Sequence, residues 1–249
     1  MFVKTNPYNN DSLIKEFKGL ELLNKYIKTA KNCNLNIPKV YSVTKQELVL
    51  EKIVYNYPDE TQMETFAYSL AKLHELKFNS YGLEYNNYIG LSNQNNIFSN
   101  NWGEFFYKYR LLYQVQKIEN KIIKEDFLII LNQEKENIID FLNSNTDYAS
   151  LVHGDLWSGN VLFSEKIYLI DPAVYFADRE VDIAMTEMFG GFSNKFYETY
   201  NNILPLSSEY NNKKIIYNLY HYLNHYNLFG DSYLNECNKG LLAIENMNK

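Results

Sequence analysis

Asp155 stands third in the run His153-Gly154-Asp155-Leu156-Trp157-Ser158-Gly159-Asn160, and Asp171 closes the apolar segment Ile167-Tyr168-Leu169-Ile170 shortly afterwards. Two carboxylates and an amide this close together are the side chains that phosphoryl transfer requires. One carboxylate orients or deprotonates an attacking hydroxyl, an amide oxygen and the second carboxylate hold Mg²⁺, and a lysine neutralises the donor's phosphates. Lys4, in Phe2-Val3-Lys4, supplies a candidate for the last task. Each residue also has a plain structural reading. Asp155 and Asn160 serve as turn residues in it, Asp171-Pro172 as a loop start, and Lys4 as a solvated charge. Short motifs misfire often when taken singly. The chemical reading rests on their joint arrival in the order loop, short strand, turn, short strand.

Hydrophobic periodicity outlines the strands and helices around these groups. Phe2-Val3-Lys4 reads as a strand, and Leu13, Phe17, Leu20, Leu23 and Ile27 recur at helical spacing behind it. Residues 39–54 hold two β-rich segments around Thr44-Lys45-Gln46-Glu47, a hairpin pattern. Thr61 and Glu64 suggest a capping box for a helix that carries Met63, Phe66, Leu70 and Leu73. Further helices are expected over 103–118, 125–143, 213–228 and 231–246. Within this helical half, Val161-Leu162-Phe163 and Ile167-Tyr168-Leu169 around Ser164-Glu165-Lys166 form a small hairpin, which brings Asn160 and Asp171 together. His74, near the end of an amphipathic helix, is expected to be a hydrogen-bonded packing residue. The expected architecture is α+β: a small mixed lobe over residues 1–56 joined to a larger helical lobe over 57–249, with the cleft between them.

The 249 residues, 46% of them hydrophobic and 22% charged, are ordinary for a globular chain with a sizeable core. A net charge of −6 without a lysine- or arginine-rich run argues against nucleic acid as a partner. Cys33 and Cys237 are far apart and fit neither a metal nor a redox spacing, so both are read as buried fillers in a reducing compartment. No secretory signal opens the chain, and no stretch reaches roughly 18 uninterrupted apolar residues, so no membrane span is expected and a cytoplasmic location is.

Asp155 and Asn160 are spaced as in the catalytic loop of protein kinases, and Asp171 falls where the kinase metal-binding Asp would stand. Glu16, in the first helix, is placed to pair with Lys4 as in such folds. More specifically, His153–Asn160 together with residues 170–192, and upstream Tyr88–Asn96, Asn101–Leu111 and Gln114, resemble the fructosamine kinase family. This is a branch of the aminoglycoside-phosphotransferase-like kinases, and the resemblance covers nearly the whole chain. It implies a protein-kinase-like two-lobe fold with a reduced N-terminal β lobe, and phosphorylation by ATP, with Mg²⁺, of the 3-hydroxyl of a ketosamine, free or protein-bound. By that resemblance Asp155 is the base, Asn160 and Asp171 the metal ligands, and Lys4 the phosphate contact with Glu16 behind it. The backbone of Glu51, Lys52 and Ile53 would hold adenine, and Asp182 would brace the catalytic loop. Trp157 would wall the acceptor pocket; Phe105 and Phe106 are read either as further walls or as plain core. Family members carry two strands and a glycine-containing loop ahead of the lysine strand, whereas the first glycine here is Gly19. The expectation is therefore weak ATP binding and an exposed strand edge, covered either by a homodimer or by an upstream segment that completes the sheet. An aminoglycoside- or choline-type acceptor, or ligand binding without transfer, are the alternative readings.

Overall fold

The computed structural model describes residues 1–247; the last two residues of the expected 57–249 lobe lie outside the described residues. The chain opens with strand β1 (Phe2–Thr5), helix α1 (Ser12–Thr29) and strands β2 (Leu35–Asn36), β3 (Val40–Val43) and β4 (Glu47–Leu50). β4 lies between β1 and β3 in an antiparallel sheet, in register Lys4 opposite Leu48. The outer edge of β1 is unpaired among the described residues, and Phe2 and Val3 are about half exposed there.

α1 carries two apolar faces with different partners. Leu13 and Leu20 pack with Leu48 and Leu50 beneath the small sheet. Leu23 and Ile27, one turn further on, belong to the main core. One helix thus ties the small sheet to the rest of the molecule, and it brings Glu16 to the seam.

Helix α2 (Glu60–His74) follows an extended segment. Its capping box uses Asp59 and Gln62 instead of the expected Thr61 and Glu64: Gln62 N–H donates to Asp59 Oδ1 at 2.8 Å, and Asp59 N–H to Gln62 Oε1 at 3.3 Å. Asp caps as well as Thr, and Gln62 gains a further bond to the Ser164 carbonyl at 2.7 Å, so the earlier start wins. Next come the hairpin β5 (Asn87–Ile89) and β6 (Ser92–Gln94), then α3 (Trp102–Phe106), a π-helical turn (Tyr107–Leu112) and α4 (Tyr113–Gln116). The single helix expected over 103–118 is therefore widened in the middle, at buried Arg110. The helix expected over 125–143 is two, α5 (Lys121–Gln133) and α6 (Lys135–Ser144), broken at Glu134.

Strand β7 (Ser150–Val152) leads to a short 3₁₀ turn (Ser158–Asn160), the hairpin β8 (Val161–Phe163) and β9 (Ile167–Leu169), and strand β10 (Tyr175–Ala177). The hairpin is antiparallel as expected, and β2 adds to β9 in parallel, so the N-terminal third contributes a strand beside the polar cluster. β10 pairs with β7. Helices α7 (Glu180–Met188), α8 (Asn194–Ile203), α9 (Tyr210–Phe229) and α10 (Leu234–Asn246) complete the fold. Gly230, at φ 78°, ends α9. Both cysteines are free, Cys237 buried and Cys33 half-buried. No helix among the described residues is long and apolar enough to cross a membrane.

Candidate active site

The loop from β7 to the 3₁₀ turn is held by one buried carboxylate. Asp182, on α7, accepts from His153 N–H at 2.7 Å and from Gly154 N–H at 2.9 Å. His74 Nε2 lies 3.3 Å from the same carboxylate, and Tyr200 OH lies 2.8 Å from His74 Nδ1. His74 is thus a packing histidine, as its position on α2 suggested, and the group it supports is the loop's clamp. Gly154 sits at φ 80°, and a Cβ there would fall 2.3 Å from the Ala173 carbonyl oxygen, so only glycine fits. His153 Nε2–H donates to the Ile170 carbonyl at 2.9 Å, leaving Nδ1 to accept from Asp155 N–H at 3.3 Å. Burial lowers the His153 pKa, which keeps the ring neutral in that arrangement.

The clamp presents Asp155 to the cleft. The 3₁₀ turn folds Asn160 back on it: Asn160 Nδ2 donates to the Asp155 backbone oxygen at 2.8 Å and to its carboxylate at 3.1 Å. Burial pushes the Asp155 carboxyl up to about 7, with Asn160 pulling the other way and Asp171 and Asp182 adding to the rise. A carboxyl poised there can hold or release a proton near neutrality.

Across the cleft, Lys4 Nζ bridges Glu16 at 2.7 Å and Asp171 at 2.9 Å. Burial pushes Glu16 up to about 7 against the opposing pull of Lys4. Burial alone would lower the Lys4 pKa, but the two carboxylates outweigh it and raise it. Asp171 stands at φ 52°, a left-handed backbone that turns its side chain back towards Lys4 at the end of β9. Asn160 and Asp171 offer hard oxygen donors of the kind Mg²⁺ takes, and with both Asn160 amide hydrogens drawn to Asp155 its Oδ1 has no hydrogen-bond partner among the described residues. Among the described residues no cluster of three or more His, Cys, Asp or Glu forms a self-sufficient metal cage. An amide and a carboxylate suit a Mg²⁺ ion that completes its shell with water and phosphate oxygens.

Glu51, Lys52 and Ile53 leave β4 as an extended connection to α2. The Glu51 N–H is taken by the Lys39 carbonyl at 2.8 Å, so of the three residues Lys52 and Ile53 keep backbone N–H groups without an acceptor among the described residues. Trp157, 39% exposed, lies over Gly159, where a Cβ would fall 2.2 Å from the indole ring. Phe105 and Phe106 are fully buried in the main core beside Trp102, so the reading of them as pocket walls is corrected: α3 turns both rings inward.

Two cavities meet at Asp155. One, of about 370 Å³, is lined by Lys4, Glu16, Asn160 and Asp171 together with Asp155 and Trp157. The other, of about 360 Å³, continues from Asp155 and Trp157 to Met185, Phe189, His225 and Phe229. Phe189 meets Trp157 edge-on with ring centroids 6.2 Å apart and lies 5.4 Å from the His225 ring. Sequence reading missed this second wall. Phe189 precedes Gly190-Gly191 at the end of α7, and His225 and Phe229 are one turn apart on α9, but nothing in either segment distinguishes a pocket face from a core face.

A small antiparallel sheet with a lysine–glutamate pair, a helical lobe, and a Asp155–Asn160–Asp171 cluster at the seam define a protein-kinase-like fold of the small-molecule phosphotransferase type. A choline kinase structure from Streptococcus pneumoniae shares that fold with a TM-score of 0.61 at 16% identity over 98% of this chain and 85% of its own. The chain belongs to the fructosamine kinase family, whose model, described as fructosamine kinase, matches residues 1–246. A crystal structure named as a fructosamine-3-kinase from Haemophilus somnus superposes with a TM-score of 0.82 at 30% identity, over 97% of this chain and 82% of its own. A Vibrio parahaemolyticus protein named a probable ketoamine kinase is 41% identical over 178 residues, which span 69% of this chain and 59% of that protein.

Proposed function

We propose that the chain transfers the γ-phosphoryl group of Mg·ATP to the 3-hydroxyl of a ketosamine. The observation that carries this reading is the position of Asp155 between two cavities, one rich in charge and the other apolar and aromatic. In the charged cavity Lys4, held by Glu16, meets the donor's phosphates, and Asn160 and Asp171 would hold Mg²⁺, which supplies charge neutralisation at the transferring group. Lys52 and Ile53 supply the free backbone groups for adenine, with Glu51 leading into them. In the apolar cavity Trp157 and Phe189 receive the sugar and the amine it carries. Asp155, held by Asn160 and indirectly by Asp182, faces the acceptor hydroxyl, orients it and takes its proton. The bond between the γ-phosphorus and the β–γ bridging oxygen breaks as the acceptor oxygen bonds to that phosphorus, so ADP leaves, the ketosamine carries the phosphoryl group, and its hydroxyl proton passes to Asp155.

Among the described residues Asp155 is the one carboxylate that lines the acceptor side, which disfavours polycationic aminoglycosides, whose several ammonium groups need several acids. Its aromatic lining does suit a quaternary ammonium alcohol through cation–π contact, so choline-type acceptors are the second reading. A turnover screen of ribulosamines, fructosamines, choline and aminoglycosides, read as ADP release, separates the two. Release with ketosamines above all others is expected; release with choline alone transfers the activity to the second reading. In the same proposal the enzyme acts in the cytoplasm, and a second copy adds a strand to the β1 edge that is unpaired among the described residues. Sedimentation at several concentrations tests that pairing, and a strictly monomeric chain removes it.

A further inference from the structure

The hairpin β5–β6 and the residues just after it play no part in the chemistry above, yet Asn87, Gln94 and Asn96 are buried and bonded to one another. Gln94 Nε2 donates to the Ala173 carbonyl at 3.0 Å and to Asn87 Oδ1 at 2.9 Å. Asn87 Nδ2 donates to the Val174 carbonyl at 2.9 Å. Asn96 Nδ2 reaches Asn87 Oδ1 at 2.7 Å, and Arg110, at the π-helical turn, fixes Asn96 Oδ1 at 2.7 Å. Tyr220 OH, from α9, donates to Gln94 Oε1 at 2.8 Å. Buried amides are costly unless each is paired, and here the pairing ends on two particular carbonyls.

Those carbonyls belong to the second and third residues after Asp171. On its other side the same segment is tied to the catalytic loop, with Ala173 N–H donating to the His153 carbonyl at 2.9 Å. Asp171 itself holds a left-handed backbone at φ 52°, a conformation that a non-glycine residue keeps only when its flanks are fixed. We infer that Gln94 and Asn87 are positioning residues for Asp171: they anchor the backbone behind it, so that its carboxylate stays turned towards Lys4 in the cavity that Asn160 also lines. The hairpin tip extends the same unit, because Gly90 lines both cavities at Asp155. This inference rests on the reading of Asp171 as a metal ligand.

The test is calorimetric titration of ADP with and without Mg²⁺, beside melting temperatures, on the chain and four variants. Gln94→Leu removes both donated bonds at similar volume, and Tyr220→Phe, a milder change, removes only the hydroxyl that orients Gln94. Tyr107→Phe is the control for loss of a buried hydroxyl elsewhere, since Tyr107 OH donates to the Leu131 carbonyl at 3.2 Å, away from both cavities. Asp171→Asn checks the metal reading itself. Removing an outer partner of a metal ligand typically costs about 10- to 100-fold in metal affinity, so Gln94→Leu should weaken Mg²⁺-dependent binding by that factor and leave metal-free binding unchanged. Tyr220→Phe should move in the same direction by less, and Tyr107→Phe should lower the melting temperature alone. Intact Mg²⁺-dependent binding in Asp171→Asn means that the metal reading fails. If Asp171→Asn loses it while Gln94→Leu and Tyr220→Phe bind as the parent does, or lose metal-free binding equally, the positioning role is overturned. Should Gln94→Leu not fold, Tyr220→Phe decides.

Discussion

Replacing Asp182 by Asn is the substitution whose cost can be worked most directly from the structure. Asp182 is fully buried, and its two oxygens take the His153 and Gly154 N–H groups at 2.7 and 2.9 Å. An amide can accept one of these bonds, but its NH₂ then faces the other N–H donor. One charge-assisted bond is lost and one buried donor is orphaned, a cost of about 2–4 kcal/mol. In a chain of this size about 1 kcal/mol moves the melting temperature by roughly 2–4 °C, so a fall of roughly 4–16 °C is expected. Turnover should fall as well, because the clamped N–H groups belong to the two residues ahead of Asp155, and a misplacement of about 1 Å can cost about 10²-fold in rate. Asp182→Ala, which orphans both donors, should be worse on both counts. The assay is thermal and urea unfolding beside ADP release with a ketosamine. Parental melting temperature together with parental turnover in Asp182→Asn would refute the claim that this carboxylate orders the loop.

Lys4→Met removes the one cation shared by Glu16 and Asp171; with each charged hydrogen bond worth about 1.5–3 kcal/mol, the KM for ATP should rise roughly 10- to 100-fold in steady-state kinetics, with the acceptor KM unaffected. Trp157→Ala should raise the acceptor KM with little change in the KM for ATP or in melting temperature, since the ring is partly exposed; equal loss in all three would make it a core residue. Burial holds His221 at about 3, below its ordinary 6.5, with neither ring nitrogen hydrogen-bonded among the described residues. The unfolded chain therefore takes up a proton that the folded chain refuses. The stability that a neutral His221 permits is fully present above pH 6.5 and lost as pH falls, by about 2 kcal/mol at pH 5. His221→Leu should flatten that acid dependence in urea unfolding at the two pH values, and an unchanged slope would contradict the assignment.

The part of the site legible in the sequence is the part assembled locally. His153 to Asp171 fold back through one turn and one hairpin, so their spacing alone brings Asp155, Asn160 and Asp171 together. Lys4 and Glu16 were legible through the kinase-like pattern, which pairs a strand lysine with a carboxylate of the following helix. What escaped was assembled from afar. His74 was read as a packing residue, but its partner Asp182 lies 108 residues away, and Phe189 meets Trp157 and His225 only after α7 and α9 have packed. The strands β7 and β10 are three residues each and buried at every position, so they carry no alternation to read. The π-helical turn escaped because Phe105, Phe106, Leu111 and Val115 keep an apolar helical pattern through it, and only the burial of Arg110 on the Tyr175 ring, 4.1 Å away, marks the widening.

In the proposed reaction Asp155 delivers a ketosamine hydroxyl to the γ-phosphorus of Mg·ATP. Its most direct test is product identification by phosphorus and proton NMR after incubating a ribulosamine with Mg·ATP and the chain, beside Asp155→Asn. The parent should yield a sugar phosphorylated at the 3-oxygen with one ADP per product. Asp155→Asn should form it about 10²- to 10⁴-fold more slowly while still binding Mg·ADP. A phosphate at another oxygen, no product despite saturable Mg·ATP binding, or undiminished turnover in Asp155→Asn would contradict it.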